Sequence, residues 1–181
     1  MLYIGIAVII LIIWYFIGTY NQLIKFKNKV KANWSQIEVV LKRRADLIPN
    51  LVETVKGYTK HESSTLEATI AARNNYISAT DVSSQMEAAG ELSQALGRIM
   101  MLTEAYPELK ADTSFLELQN DLRETENKIQ YARQFYNDAV YSYTNKLEVF
   151  PSSIIASMFN FERFDMYQAE KEDKVLPKVE F

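Results

Sequence analysis

Very few side chains of this sequence have the types and the spacing that chemistry requires. The one histidine is followed by a glutamate, as His61-Glu62, but no H-E-x-x-H pattern follows that would place two imidazoles on one helix face. Adjacent residues of a helix do not face each other, so this pair is not an acid–base unit. The absence of cysteine excludes disulfides, thiol catalysis and zinc–thiolate sites. We therefore predict no catalytic residue, no metal, no cofactor and no enzymatic activity.

Carboxylates at helical spacing form a second candidate site. Three of them recur at i, i+4 and i+7 and so share one helix face: Glu117, Asp121 and Glu124. Such a face can bind Mg²⁺ or Ca²⁺, but a solvated surface or ion pairs are commoner, and the partners would be Arg43, Arg44 or Arg73. The basic run at residues 42–44 lacks interleaved aromatic residues, so no nucleic-acid partner is predicted.

The remaining functional side chains follow the apolar N-terminal segment. Aromatic residues stand at its end: Trp14, Tyr15, Phe16 and Tyr20. Lysines come next, before the first acidic residue at position 38: Lys25, Lys27, Lys29 and Lys31. Aromatic rings favour the headgroup level of a bilayer, and lysines next to it are attracted by anionic lipid, by about 1 kcal/mol each. We predict that these eight residues form a membrane interface and that membrane lipid is a partner.

The apolar segment itself is predicted to span the membrane once. Residues 2–18 read LYIGIAVIILIIWYFIG, and the nineteen uncharged residues 2–20 would extend about 28 Å in a helix, close to the thickness of a hydrocarbon core. A cleaved signal peptide would need a basic start and a small-residue cleavage site, and neither is present. The lysines that follow the span place the body in the cytoplasm and the short N-terminus outside.

Composition favours long helices for the rest of the chain. Glycine and proline together number nine of 181 residues, too few for the turns of an all-β fold. The net charge of −3 is the sum of two opposite regions, because residues 21–60 carry +6 and residues 61–181 carry −9. We predict an all-α fold in which a transmembrane helix precedes a bundle of long helices.

The first body helix is predicted from apolar residues at steps of three and four. This stripe comprises Val30, Trp34, Ile37, Leu41, Ala45, Ile48, Val52 and Val55. Pro49 lies within it. Because the stripe keeps its phase across Pro49, we favour one kinked helix, with a break and a new helix capped by Asp46 as the alternative.

The helical pattern continues past residue 58, and the first break is expected at residues 78–84. Three apolar residues anchor this continuation: Leu66, Ile70 and Ile77. A second helix is predicted from about Ser84 to Glu104 and a third from about Asp112 to Glu148. The third would be about 52 Å long, so it needs partner helices of similar length, from the same chain or from another copy.

The last part of the chain contains a short apolar piece, residues 152–164, before a charged tail. It can pack on the bundle, lie on the bilayer or dock a partner, and its candidate interaction patch is Ile154, Ile155, Met158 and Phe159. We predict three parts: an anchor over residues 1–20, a helical bundle over residues 21–150, and a short helix with its tail over residues 151–181.

Three stretches of the sequence are distinctive: LKRRADLIPNLVETVKGY at residues 41–58, ARQFYNDAV at residues 132–140, and the closing PKVEF. In these stretches the sequence resembles the LemA family of bacterial membrane proteins. The resemblance covers roughly residues 19–181. It implies a single N-terminal span, an N-terminus outside and a cytoplasmic antiparallel helical bundle, and hence a single-pass protein of the bacterial inner membrane.

The resemblance implies no enzymatic activity. One branch of the family contributes to magnetosome membrane formation, and some relatives are encoded near a membrane zinc metalloprotease. Two functional hypotheses follow. The first is a scaffold that self-assembles as a homo-oligomer on the membrane. In this hypothesis the long amphipathic helices of neighbouring copies cover each other's apolar faces. The second is a monomeric or dimeric adaptor that docks a protease, a sensor or a transporter.

Overall fold

The protein is all-α, as predicted. The structure, a computed structural model, describes residues 2–59 and 62–167. His61 and the closing PKVEF lie outside these residues. The described part contains six helices and no strand: α1 Leu2–Lys56, α2 Ser63–Ser78, α3 Val82–Thr103, α4 Pro107–Lys110, α5 Thr113–Glu148 and α6 Ser152–Met158.

Helix α1 joins the apolar segment to the body without interruption. Its 55 residues extend about 80 Å. Residues 2–15 and 17–18 are exposed, and this helix is long and apolar enough to cross a membrane. All eight residues of the predicted stripe are buried. Pro49 lies inside the continuous helix on its exposed side, so the alternative of a break capped by Asp46 is wrong.

The prediction of helix beyond residue 58 is wrong at one point, because the chain turns directly after α1. Glycine costs about 1 kcal/mol in a helix interior, and α1 stops just before Gly57. The amides of Tyr58 and Thr59 then donate to the carbonyl of Val55, and the Tyr58 hydroxyl donates to the Asp112 carboxylate at 2.8 Å. This long-range bond fastens the turn.

Helix α2 buries fewer of the predicted anchors than expected. Leu66 is buried, whereas Ile70 and Ile77 are 41% and 54% exposed. Thr69, Ala72 and Tyr76 form its buried face instead. Helical periodicity therefore resumes after the turn, on a separate helix. The buried face of this helix differs from the predicted one.

Two aspartates fix where α3 and α5 begin. The Asp81 carboxylate accepts the Ser84 amide at 3.0 Å, and the Asp112 carboxylate accepts the Phe115 amide at 2.9 Å. These hydrogen bonds satisfy amides that have no partner in the first turn of a helix. They also lower the pKa of both aspartates: for Asp81 the Ser84 hydroxyl is the largest cause, and for Asp112 the Phe115 amide is. The predicted starts near residues 84 and 112 agree with the structure to within two residues.

The described residues form two compact units, and α1 and α5 contribute to both. The first unit comprises Met1–Ile37, from residue 2 on, with Ala132–Met166, and the second comprises Glu38–Tyr131 with Tyr167. The predicted boundary at residue 20 falls inside α1. The division into anchor, bundle and tail stays a prediction.

Candidate membrane-interface site

An aromatic cluster lies at the end of the apolar segment in the first unit. The ring of Phe159 lies 4.7 Å from that of Tyr20 and 5.9 Å from that of Phe16, between ring centroids. The ring of Phe161 lies 5.8 Å from that of Tyr20, and the Lys27 ammonium lies 5.9 Å from the centre of the Phe161 ring. Such ring contacts add to the apolar burial, and the cation over a ring adds an electrostatic attraction. The returning chain is thereby packed against α1 where the apolar segment ends.

The turn after α6 aims this segment at α1. Asn160 has φ 50°, a left-handed conformation that asparagine adopts more readily than most residues. The Phe161 amide donates back to the carbonyl of Ala156 at 3.1 Å, which closes the helix end. Ile155 and Ala156 are buried inside the unit. The inner face of α6 is therefore part of the core of the first unit.

Two buried tyrosines of α5 hold the chain that follows. The Tyr143 hydroxyl donates to the carbonyl of Glu162, and the Tyr136 hydroxyl donates to the carbonyl of Asp165, each at 2.9 Å. Burial raises the pKa of Tyr136 to about 12 and raises that of Tyr143, so both stay protonated donors further into the alkaline range than an ordinary tyrosine. The Tyr136 ring also packs on Trp34 at 5.4 Å. Residues 159–165 thus run along α1 and α5 away from the apolar segment.

The predicted interface residues divide into exposed and packed ones. Trp14 and Tyr15 are exposed, whereas Phe16 and Tyr20 are half-buried in the aromatic cluster. Three lysines are exposed: Lys25, Lys29 and Lys31. Lys27 is half-buried over Phe161. The arrangement offers rings at one level and cations in the turns that follow.

The predicted interaction patch is divided in the same way. Ile154 and Met158 are 53% and 63% exposed, and Phe159 is partly exposed although it touches Phe16 and Tyr20. Ile155 is buried. Sequence reasoning missed that Phe159 lies next to residues 16–20, because the contact joins positions far apart along the chain.

The second unit is organised around a buried arginine. The side chain of Arg44 is 2% exposed and donates to Glu126 Oε2 at 3.1 Å, to Ser93 Oγ at 2.8 Å and to the carbonyl of Ala89 at 2.9 Å. Buried charges need partners of this kind because desolvation is expensive. Arg44 and Leu51 are seven residues apart, so they lie on one face of α1, and both are fully buried. This spacing is the sequence signal that could have identified Arg44 as a buried residue.

Two of the three predicted carboxylates take part in surface ion pairs. Asp121 pairs with Arg43 at 3.8 Å, as predicted. Glu124 pairs with Lys128 one turn later, and the hydrogen bond from Lys128 lowers the pKa of Glu124. Arg73 instead donates to the carbonyl of Ala45. Within residues 2–59 and 62–167, no three histidine or carboxylate side chains are grouped as ligands for a metal ion.

An open groove of about 330 Å³ lies beside Arg44 in the second unit. Its lining includes the apolar residues Leu96, Met100 and Leu122 and the charged residues Arg123 and Glu126. Three hydrogen bonds already engage the Arg44 guanidinium within the fold. The groove therefore offers mainly apolar surface, and it is not a preformed polar binding site.

Comparisons with known proteins found a family model that matches and several similar proteins. A family model described as LemA family matches residues 33–181. The chain is similar to a protein named Protein LemA from Metamycoplasma hominis, at 23% identity over 88% of this chain and 74% of that protein. It is also similar to a protein named Magnetosome protein MamQ 2 from Paramagnetospirillum magneticum, at 25% identity over 82% of this chain. The match spans 64% of the length of that relative.

Proposed function

The chain belongs to the LemA family, and on that premise we propose that it is a non-enzymatic scaffold that self-assembles on the bacterial inner membrane. One observation carries the proposal: α1 passes without a linker from the apolar segment into the folded body, and Phe159 packs on Phe16 and Tyr20 at the join. A scaffold needs its body fixed relative to the bilayer, because its partners must meet in a defined geometry. The similarity to relatives named as magnetosome proteins supports an organising role.

The orientation in this proposal rests on the lysines after the span. Lysines or arginines flank a span on its cytoplasmic side. Lys25, Lys29 and Lys31 are exposed and lie within fourteen residues of the span's end. The N-terminus is then outside, and the body is in the cytoplasm. The protein crosses the membrane once.

Self-assembly is supported by large apolar side chains that the fold leaves exposed outside the span. On α5 in the first unit, Phe135 and Tyr141 are 62% and 64% exposed. These exposed rings are the proposed contact residues, because covering them with another molecule removes apolar surface from water. A second copy of the chain is the proposed occupant, since the sequence carries a region of +6 and a region of −9 that attract each other between copies.

The mass of the full-length protein in mild detergent, measured by light scattering, tests self-assembly. We expect an oligomer for the wild type and a shift toward monomer for the variant with both Phe135→Gln and Tyr141→Gln. A matched control changes two exposed polar residues of the same helix, Gln134→Ala and Asn145→Ala, and should keep the oligomer. A wild-type protein that is a helical, soluble monomer would refute the scaffold and leave the adaptor hypothesis.

A further inference from the structure

The position of α6 in the first unit is set by the residue that follows it. Phe159 touches Phe16 and Tyr20, the last rings of the apolar segment. Helix α6 has seven residues and is about 10 Å long. Every residue of α6 is therefore within about 10 Å, along the helix, of a side chain at the end of the span.

The chain around α6 is uncharged, and its outer side is apolar. No charged residue occurs over the thirteen residues 149–161, and the Glu148–Arg163 ion pair, at 3.0 Å, closes this segment. The inner face is packed through Ile155, while the outer side presents four exposed apolar residues: Val149, Phe150, Ile154 and Met158. Phe150 is 76% exposed. An uncharged segment whose outer side consists of exposed apolar side chains is poorly solvated by water.

We propose that residues 149–161 form a second membrane contact, which inserts its outer side into the headgroup–acyl boundary of the lipid around the span. Lipid is the occupant because Phe159, which directly follows α6, packs on Phe16, and Phe16 lies within the apolar segment that spans the bilayer in this proposal. Lipid surrounds that level of the helix on every open side. The lysines at 25, 27, 29 and 31 lie in the following turns of α1, where anionic headgroups would meet them.

A second contact changes what the anchor does mechanically. A single spanning helix can rotate about its own axis and tilt. A loop inserted beside it fixes which side of the first unit faces the bilayer. The inference rests on the anchor but not on self-assembly, so a monomer in detergent would leave it standing.

The absence of cysteine makes the test clean, because single-cysteine variants of the full chain can be labelled at one site. We would label Phe150→Cys, Ile154→Cys and Met158→Cys with a nitroxide in vesicles of phosphatidylcholine and phosphatidylglycerol. Collision with oxygen reports lipid, and collision with a neutral nickel chelate reports water. We expect the three sites to collide at least threefold more with oxygen, relative to nickel, than a Gln134→Cys control at an exposed polar site of α5 in the same unit.

Two outcomes would overturn the proposal. Sites in residues 149–161 that collide with nickel as often as the label at position 134 would lie in water. Loop sites shielded from both reagents would be covered by protein. Ile12→Cys, within the span, separates these outcomes from failure of the anchor, because this label must report lipid if the protein spans the membrane at all. Circular dichroism confirms that each labelled variant keeps its helices.

Discussion

Each of the two units of the protein is stabilised by a different kind of interaction. The first is built on rings and on neutral hydroxyls, in which Tyr136 and Tyr143 donate to backbone carbonyls. The second is built around the buried guanidinium of Arg44 and its three acceptors. Neutral hydroxyls lose little when charge is changed nearby, whereas a buried cation depends on its partners. The second unit should therefore be sensitive to one lost charge, and the first to lost hydroxyls.

The sharpest test of this difference compares two neighbouring arginines. Arg44→Ala removes three hydrogen bonds and leaves a cavity, so we expect the free energy of unfolding to fall by about 3 kcal/mol. Arg43→Ala removes an exposed ion pair and should change it by less than about 1 kcal/mol. Denaturant titration of the full-length protein in detergent, followed by circular dichroism, measures both. Equal losses of unfolding free energy for the two variants would contradict the claim that Arg44 stabilises the interior of the second unit.

A smaller effect is expected from the hydroxyls of the first unit. Tyr143→Phe deletes the hydrogen bond to the carbonyl of Glu162 and should lower the free energy of unfolding by about 1 kcal/mol. Tyr141→Phe, on the exposed side of the same helix, is the matched control and should have no measurable effect. If the two substitutions are equivalent in the same titration, the hydroxyl bonds do not support the first unit.

Alkaline pH gives a further contrast. The pKa of Tyr136 is raised from 10.0 to about 12 by burial, so the folded state keeps a proton that the unfolded chain has already lost. The stability from this group is complete below pH 10 and is lost as pH rises toward 12. We expect the unfolding midpoint to fall over that interval, and to fall less in Tyr136→Phe. A midpoint with the same pH profile in both proteins would contradict the assignment.

Much of the fold was predictable because its signals are local. The apolar stripe of α1 is buried as predicted, since helix periodicity depends only on neighbouring turns. The starts of α3 and α5, predicted near residues 84 and 112, are set by capping bonds from Asp81 and Asp112 that reach only three residues along the chain. Membership of the LemA family, indicated by the motifs at residues 41–58 and 132–140, is confirmed.

The remaining features depend on contacts between distant residues. The turn at Gly57 was missed because its fastening bond joins Tyr58 to Asp112, and a glycine alone does not end a helix. Arg44 was expected in a surface ion pair, because a charged residue in an amphipathic helix is usually exposed, and its partner Glu126 is 82 residues away. The packing of Phe159 on Phe16 was missed for the same reason, because these two residues are far apart along the chain. Periodicity cannot reveal such pairings.

The most direct test of the scaffold is disulfide cross-linking of the full-length protein in native-like vesicles. Since the chain has no cysteine, Phe135→Cys introduces one thiol on the proposed contact surface. Asn28→Cys introduces one at an exposed polar site on α1 of the same unit. Self-assembly through α5 predicts rapid dimer formation at position 135 that persists when the protein is diluted in lipid, and little at position 28. Equal, dilution-sensitive cross-linking at both positions would show random collision and contradict the account.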